Sequence, residues 1–361
     1  MTDPAPGRER AWLTRLAQLL GSSAVPSDRP VEADTHYGEV EDFILGGPRR
    51  YTKAQLVGES SIDTDFADRL WRSLGFAEVA DDEVVFTDGD REAVAALEKL
   101  REAGLVPGEV EEAMSRAVGQ AMAGLADWQI EMLYQIVDYG HSPVGDDEIV
   151  ELGERIIPML EQVQVYVWRR HLAAAAGRLV TAHPSQDETR TLAVGFADLV
   201  GFSRATRRSS PADLTQLIEG FQRITNDVVA EHRGRVVKTV GDEVLFVADH
   251  ADDGALIALD LLEQLAANES LPQLRIGLAL GDVVTRFGDV FGEAVNIASR
   301  LTTHARPGRI LVDRNLAAAL EADRQFQLRV RRPLTVRGYR HLHTWGLTRS
   351  RARPPSTPGE T

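Results

Sequence analysis

Apolar residues follow two different patterns along this chain, and the change falls across a polar, Pro-containing stretch, TAHPSQDETR, at 181–190. Upstream the spacing is helical. An amphipathic helix is predicted over 8–20, ahead of a Ser/Pro-rich break that ends at Pro30. Between 51 and 104 the text gives two short helices, an extended piece at Val84-Val85-Phe86, and a capped helix that stops at Gly104. Pro107 opens a long helix to about residue 139, with Met114, Val118, Met122, Leu125 and Trp128 on one face. Residues 140–144 break it. A second long helix covers 146–182, with a kink at Pro158 and with Ile156, Leu160, Val163, Tyr166 and Val167 as its apolar positions. Two long antiparallel helices so furnished predict a core or a dimer interface, or a hydrophobic ligand pocket between them.

Downstream, strand and helix patterns alternate. Thr191 to Asp198 reads as a buried strand, and Leu199-Val200-Gly201-Phe202 turns from it into a helix start. Ser210-Pro211-Ala212-Asp213 caps a helix that Gly234 terminates. RVVKTVGDEVLFVA (235–248) reads as a hairpin around Gly241-Asp242, and a helix follows over 252–267. LRIGLALGDVVTRF (274–287) reads as extended chain with a turn at Gly281-Asp282. FGEAVNIASRL (291–301) is a helix, Ile310-Leu311-Val312 a strand, 314–322 a short helix and 326–347 further extended chain. The order βαββαβ predicts a ferredoxin-like α+β sandwich, preceded by a mostly α-helical domain. The predicted division is a helical domain over 1–180, a linker over 181–190, an α+β domain over 191–348 and a disordered tail over 349–361.

Composition narrows the chemistry. The net charge of −15 argues against nonspecific attraction to DNA or to an anionic membrane. With no cysteine, disulfides, thiolate metal sites and a Cys nucleophile are excluded. No apolar run approaches the roughly 20 residues of a membrane span, and the N-terminus lacks the apolar centre of a signal peptide, so a soluble cytoplasmic protein is expected.

The polar residues that interrupt buried patterns carry the candidate chemistry. Asp198 ends the first strand and Asp242 sits at a hairpin turn that a sandwich can lay beside it. Two such carboxylates suit Mg²⁺ or Mn²⁺, completed by water and phosphate oxygens, while the amides and helix dipole after Asp198 suit the phosphate itself. Lys238 is one of only three lysines, with Lys53 and Lys99, and stands in a buried-looking hairpin where a point-like donor to a ring nitrogen would account for it. Asn296 and Arg300 share a helix face, and their apolar neighbours predict that this face is buried or interfacial.

Three blocks, FADLVGFS (196–203), KTVGDEV (238–244) and GDVFGEAVNIASRL (288–301), resemble the class III nucleotide cyclase catalytic domain, in order and at family spacing, and the resemblance spans about 191–347. It implies that Asp198 and Asp242 bind two Mg²⁺ or Mn²⁺ ions. It implies that Lys238 and Asp289 read adenine, that Asn296 orients the ribose, and that Arg300 meets charge on the α-phosphate in the transition state. Phe196, Leu199, Val200, Gly201 and Phe202 then line the substrate, and Arg337 in LTVRGY aligns loosely with a basic phosphate contact. It also implies an ATP-consuming adenylate cyclase, and a homodimer in which each site takes acids and base-reading residues from one subunit and the Asn/Arg pair from the other.

The upstream half resembles, in order and helical content, regulatory domains fused ahead of cyclases in actinobacteria, some of which respond to pH or lipids. That implies a lipid or hydrophobic ligand, or a proton signal with His141, His171 and His183 as candidate sensors. Residues 50–104 also resemble the winged helix-turn-helix of MerR-type regulators, yet Asp63, Asp65 and Asp68 stand where a recognition helix would meet phosphates, so no specific nucleic acid is expected. The alternatives kept are a DNA-binding or signal-sensing regulator using a cyclase-like domain as nucleotide sensor, and a cyclase using GTP. A P-loop NTPase is excluded because the chain has no Gly-Lys dipeptide.

Overall fold

A computed structural model describes residues 41–104, 108–139, 146–181, 189–202, 206–207, 209–268 and 271–350. The expected helix over 8–20 with its Pro30 break, the break at 140–144, most of the linker, His141, His183, Ser203 and the tail beyond Ser350 lie outside them. The chain forms two compact units, Met1–Pro184 and Ser185–Thr361.

In the first unit, strand β1 (Tyr51–Thr52) leads into helices α1 (Lys53–Gly58) and α2 (Thr64–Ser73), and strand β2 (Val84–Phe86) pairs antiparallel with β1 before helix α3 (Asp88–Glu102). Local chemistry sets these boundaries. Thr52 with Gln55 and Thr87 with Asp90 form capping boxes, and the Asp63 side chain accepts from the Phe66 amide. Leu56, Ile62, Phe66 and Phe86 make the small core. Asp68 of the expected recognition segment is used internally, at 2.9 Å from Lys53 Nζ, which also meets Asp81 at 2.7 Å.

Helices α4 (Gly108–Tyr139) and α5 (Asp146–Thr181) follow, with Pro158 inside α5. They meet through Gln164, which accepts from Gln129 at 3.4 Å and donates to Met122 Sδ at 3.6 Å. Of the apolar positions expected on α5, Ile156 and Leu160 are half-buried while Val163 and Tyr166 are more than half exposed, so among the described residues that face is covered only in part. None of the described helices is long and apolar enough to cross a membrane.

The second unit is an α+β sandwich. Its strands are β3 (Thr189–Leu199), β4 (Arg235–Val240), β5 (Glu243–Ala248), β6 (Leu274–Arg286), β7 (Asp289–Phe291), β8 (Arg309–Val312), β9 (Phe326–Val330), β10 (Leu334–Val336), β11 (Tyr339–Leu342) and β12 (Trp345–Arg349). The central four lie in the order β4-β5-β3-β6, all antiparallel, as the βαββαβ pattern predicts, and β8, β12 and β9 extend the sheet beyond β6. Its helices are α6 (Pro211–Glu231), α7 (Ala251–Ala267), α8 (Glu293–His304) and α9 (Arg314–Leu320).

Alternation along β3 divides the core. Ala193, Ala197 and Leu199 join the larger cluster with Phe221, Ile257 and Leu316, while Leu192 and Val194 face the other way with Ala294 and Ala298 of α8. Two glycines permit the closest approaches. A Cβ on Gly195 would lie 2.2 Å from the Phe246 ring, and one on Gly277 would lie 2.3 Å from the Thr302 nitrogen. The second contact seats α8 directly on strand β6.

The turn expected at Gly281-Asp282 does not form. Strand β6 runs straight through it, with Gly281 opposite Leu192 and Asp282 opposite Thr191, and the Thr191 hydroxyl bonds to Asp282. The reversal comes at Phe287-Gly288, where both residues have positive φ (51° and 82°), as a two-residue hairpin turn requires.

Candidate active site

Cross-strand register assembles the acidic centre. Asp198, at the end of β3, lies opposite Glu243 on one side and Arg275 on the other. Residues directly opposite in an antiparallel pair share a face, so these three side chains stand together. Arg275 Nε donates to Asp198 Oδ2 at 2.5 Å. The Leu199 amide donates to the Asp242 carbonyl at 3.2 Å, tying the hairpin tip to the strand end.

The electrostatics show a shortage of positive charge. Burial is the main cause that pushes the Asp242 carboxyl up from its ordinary range, with the neighbouring Asp198 charge adding to it and Arg275 opposing. Glu243 is pushed up in the same way, by burial first and then by Asp198 and Asp242. Three carboxylates therefore share one guanidinium. This all-oxygen, charge-deficient donor set fits a hard divalent cation. Among the described residues no group of three or more His, Cys, Asp or Glu side chains is arranged to hold an ion by itself. Mg²⁺ and Mn²⁺ are commonly held by one or two carboxylates, with water and substrate oxygens completing the shell.

Lys238 owes its direction to a β-bulge. The register slips between Val236 and Lys238, so Lys238 pairs with Leu245 rather than with Val244. Leu245 lies opposite Phe196, two residues before Asp198. Without the extra residue Lys238 would point into the larger core; with it, Lys238 stands on the same sheet face as the acids. It is also far less buried than its Val-rich setting suggests, because β4 is an edge strand and the side chain is 47% exposed. Its Nζ sits 2.5 Å from Asp289 Oδ2, while Asp289 Oδ1 accepts from the Val290 amide at 2.8 Å.

Asn296 and Arg300 both lie on α8. Asn296 is exposed and Arg300 half-buried, so the face they share is open and not part of the core, which Ala294, Ala298 and Leu301 supply. Arg300 acts on Tyr339, whose hydroxyl is pushed up by burial and by the Glu293 carboxylate, with Arg300 opposing. At Asp242 and Glu243 the opposing guanidinium is Arg275 instead. Arg337 lies exposed at the turn between β10 and β11, beside Gly338 at φ 91°.

The phosphate cradle expected at 199–202 is narrower than the sequence suggests. The Leu199 amide is engaged with Asp242, and the Val200 amide donates to the Gln273 carbonyl at 2.8 Å. Both are strand-end bonds that extend the sheet, which leaves Gly201 (φ 83°) and Phe202 as the candidate donors. Phe196 is partly buried against the smaller core, and the Leu199 side chain is wholly inside the larger one.

Arg275 and Glu243 were missed. Arg275 is a charged residue inside LRIGLAL, an otherwise buried run, and that polar interruption is the one signal that could have found it.

Residues 185–349 match the family model for the adenylate and guanylate cyclase catalytic domain. The chain is 42% identical over 301 residues to an adenylate cyclase of Streptomyces coelicolor, covering 82% of this chain and 77% of that one. It is 31% identical over 352 residues to a pH-sensitive adenylate cyclase of Mycobacterium tuberculosis, covering 92% and 87%. Among solved structures, the adenylyl cyclase CyaB of P. aeruginosa aligns with 45% of this chain and 96% of its own, at 20% identity and a TM-score of 0.41.

Proposed function

The chain belongs to the class III nucleotide cyclases, enzymes that make cyclic nucleotides, and from that premise we propose that it converts ATP to 3′,5′-cyclic AMP and pyrophosphate. The observation that carries the choice of base is the Lys238–Asp289 pair, on the strand edge beside the acids. The lysine donates to N1 of adenine and the aspartate accepts from its 6-amino group. Guanine would set a carbonyl oxygen against the Asp289 carboxylate and a ring N–H against the ammonium, leaving both unpaired. A GTP-using enzyme therefore fits this pair poorly.

Asp198 and Asp242 would hold two Mg²⁺ or Mn²⁺ ions, which when bound supply acidity to the ribose 3′-hydroxyl and counter-charge to the leaving pyrophosphate. The Gly201 and Phe202 amides are left to meet phosphate oxygens, with Arg337 as a further basic contact. Asn296 orients the ribose, and Arg300 meets charge at the α-phosphate, a role whose loss commonly costs on the order of 10²–10³ in rate. Asn296 and Arg300 stand on an open face of α8, which fits a site completed by a second copy, a homodimer with two equivalent sites.

The first unit is read as the regulator of that dimer. An apolar cavity of about 440 Å³ supports a hydrophobic ligand, lined by Leu56, Phe66, Trp71, Phe86 and Leu97. It lies among the short helices and the start of α4, not between the two long helices as the sequence suggested. The relative described as pH-sensitive supports a proton signal instead, for which His171, exposed on α5, is the described candidate.

Incubating the full chain with ATP or GTP and Mn²⁺ or Mg²⁺, and identifying the product, tests the assignment. Cyclic AMP from ATP is expected, Asp198→Ala should abolish it, and mixing Asp198→Ala with Arg300→Ala chains should restore one working site. Cyclic GMP as the main product would overturn the reading of the base.

A further inference from the structure

Arg275 makes two contacts that lead in different directions. Its Nε holds the Asp198 carboxylate at 2.5 Å, and its Nη1 donates to the Thr303 carbonyl at 3.0 Å. Thr303 stands in the last turn of α8, where carbonyls lack helical partners. The neighbouring ones are met locally: the His304 ring bonds the Arg300 carbonyl, and the Ala305 amide bonds those of Leu301 and Thr302. Arg275 takes the Thr303 carbonyl and brings a positive charge to the negative end of the helix. The same stretch also meets the sheet at the Thr302 hydroxyl, which shares its hydrogen between the Ala298 carbonyl of its own helix at 2.9 Å and the Phe196 carbonyl at 3.2 Å, and at the close seat on Gly277. One guanidinium thus joins the metal-binding acid of a chain to the helix that bears Asn296 and Arg300 in that same chain.

We infer that Arg275 is a positioning residue for two active sites at once, steadying Asp198 in one and the Asn296/Arg300 helix that serves the other. This rests on the proposed sharing of sites between two copies. If acids and Arg300 of one chain belong to different sites, a link inside the chain is a link between sites. The Asp198 carboxylate has then to be divided between Arg275 and a divalent cation of like charge. What loosens the guanidinium at one site also loosens the anchor of the helix that completes its neighbour.

The test uses full-length chains with two different tags, so that mixed dimers can be isolated. One chain carries Arg300→Ala, which leaves a single working site, built from its acids and its partner's helix. Arg275→Lys is then placed in the partner, whose own acids are idle. A lysine keeps the charge but has no second nitrogen to reproduce the separate Nε and Nη1 contacts of the guanidinium fork. Turnover at the working site should fall roughly three- to tenfold with little change in KM for ATP. In parallel, hydrogen exchange of amides 301–305 is followed without nucleotide. It should speed up in Arg275→Lys, and in the unsubstituted chain when Mn²⁺ is added, an arm that needs no variant to fold. Unchanged turnover with the substitution in the partner, together with loss when it is placed beside the working acids, would make Arg275 a local prop and overturn the inference. So would exchange in 301–305 that ignores both Mn²⁺ and the substitution. Failure of Asp198→Ala and Arg300→Ala chains to complement would instead refute the sharing of sites, and the inference would fall with it.

Discussion

The two units dispose of their apolar side chains in opposite ways. In the second, helices of the same chain cover both faces of the sheet, and Phe246, Ile276 and Leu301 are fully buried. In the first, the long helices leave Met159, Val163, Tyr166, Trp168 and Leu172 more than half exposed. A patch of that kind is rare on a surface with nothing to meet. The catalytic unit buries most of its apolar side chains by itself, leaving only scattered ones such as Val240, Phe291 and Val330 more than half exposed, whereas the helical unit presents a run of them along one helix that only another apolar surface or ligand would satisfy.

Glycine substitutions should break this contrast most sharply. Gly195→Ala drives a methyl group into the ring of Phe246, which is itself fully buried, and should cost about 3 kcal/mol or more. The melting transition of the catalytic unit should drop by roughly 10 °C in calorimetry, with activity lost at growth temperature. Gly124→Ala, on the exposed face of α4 with no atom within 4 Å, should gain up to about 1 kcal/mol from helix propensity. Similar losses at both positions would mean that the helical unit is packed as tightly as the catalytic one.

Charges on α5 probe the open surface directly. Met159→Glu combined with Tyr166→Glu should leave the catalytic melting transition in place while weakening self-association of the full chain about tenfold or more, read by sedimentation. If association is untouched, the exposed residues serve a ligand or another partner and not a second copy.

How much of this was legible follows from which force fixes each feature. Strand and helix order in the second unit was, because its burial is periodic and local: β3, α6 and the hairpin around Gly241-Asp242 fall where the pattern puts them. Asp198 and Asp242 were legible as polar interruptions of that pattern. What escaped depends on partners distant in sequence. The straight run of β6 through Gly281-Asp282 is set by pairing with β3, which no local turn propensity reveals. The exposure of Lys238 follows from its edge position and a bulge, and the engagement of the Leu199 and Val200 amides, expected to be free for phosphate, from bonds to Asp242 and Gln273. In the first unit the same periodicity marked the apolar faces without saying whether they meet each other.

Proton linkage sharpens the comparison within the closed unit, at its acidic centre. Burial and neighbouring charge raise the Glu243 carboxyl, so without an ion the folded state holds that proton more tightly than the unfolded chain. Stability from this group is therefore present at low pH and is lost as pH rises from the ordinary carboxylate range through the raised value. Glu243→Gln mimics the protonated form. The metal-free variant should melt a few degrees above the parent at pH 7, and the difference should vanish near pH 4. Saturating Mn²⁺ should also reduce it, since the cation supplies the missing positive charge. A difference that does not vary with pH would remove Glu243 from the centre.

The smallest effect is expected where the closed unit falls short of complete closure. Thr225, on α6, is 1% exposed, and among the described residues its hydroxyl oxygen is the buried side-chain atom without a hydrogen-bond partner. A buried, unmatched hydroxyl costs its desolvation and returns nothing, whereas an apolar group of the same shape has no such debt. Thr225→Val keeps the β-branched shape that the neighbouring Phe221, Val228 and Val229 pack around, so it should stabilise by up to about 1 kcal/mol, or 2–4 °C in melting temperature. Activity should not change, because α6 carries none of the proposed site residues. A loss of stability would show that the hydroxyl is satisfied by buried water, and that the catalytic core is wetter than its side-chain packing implies.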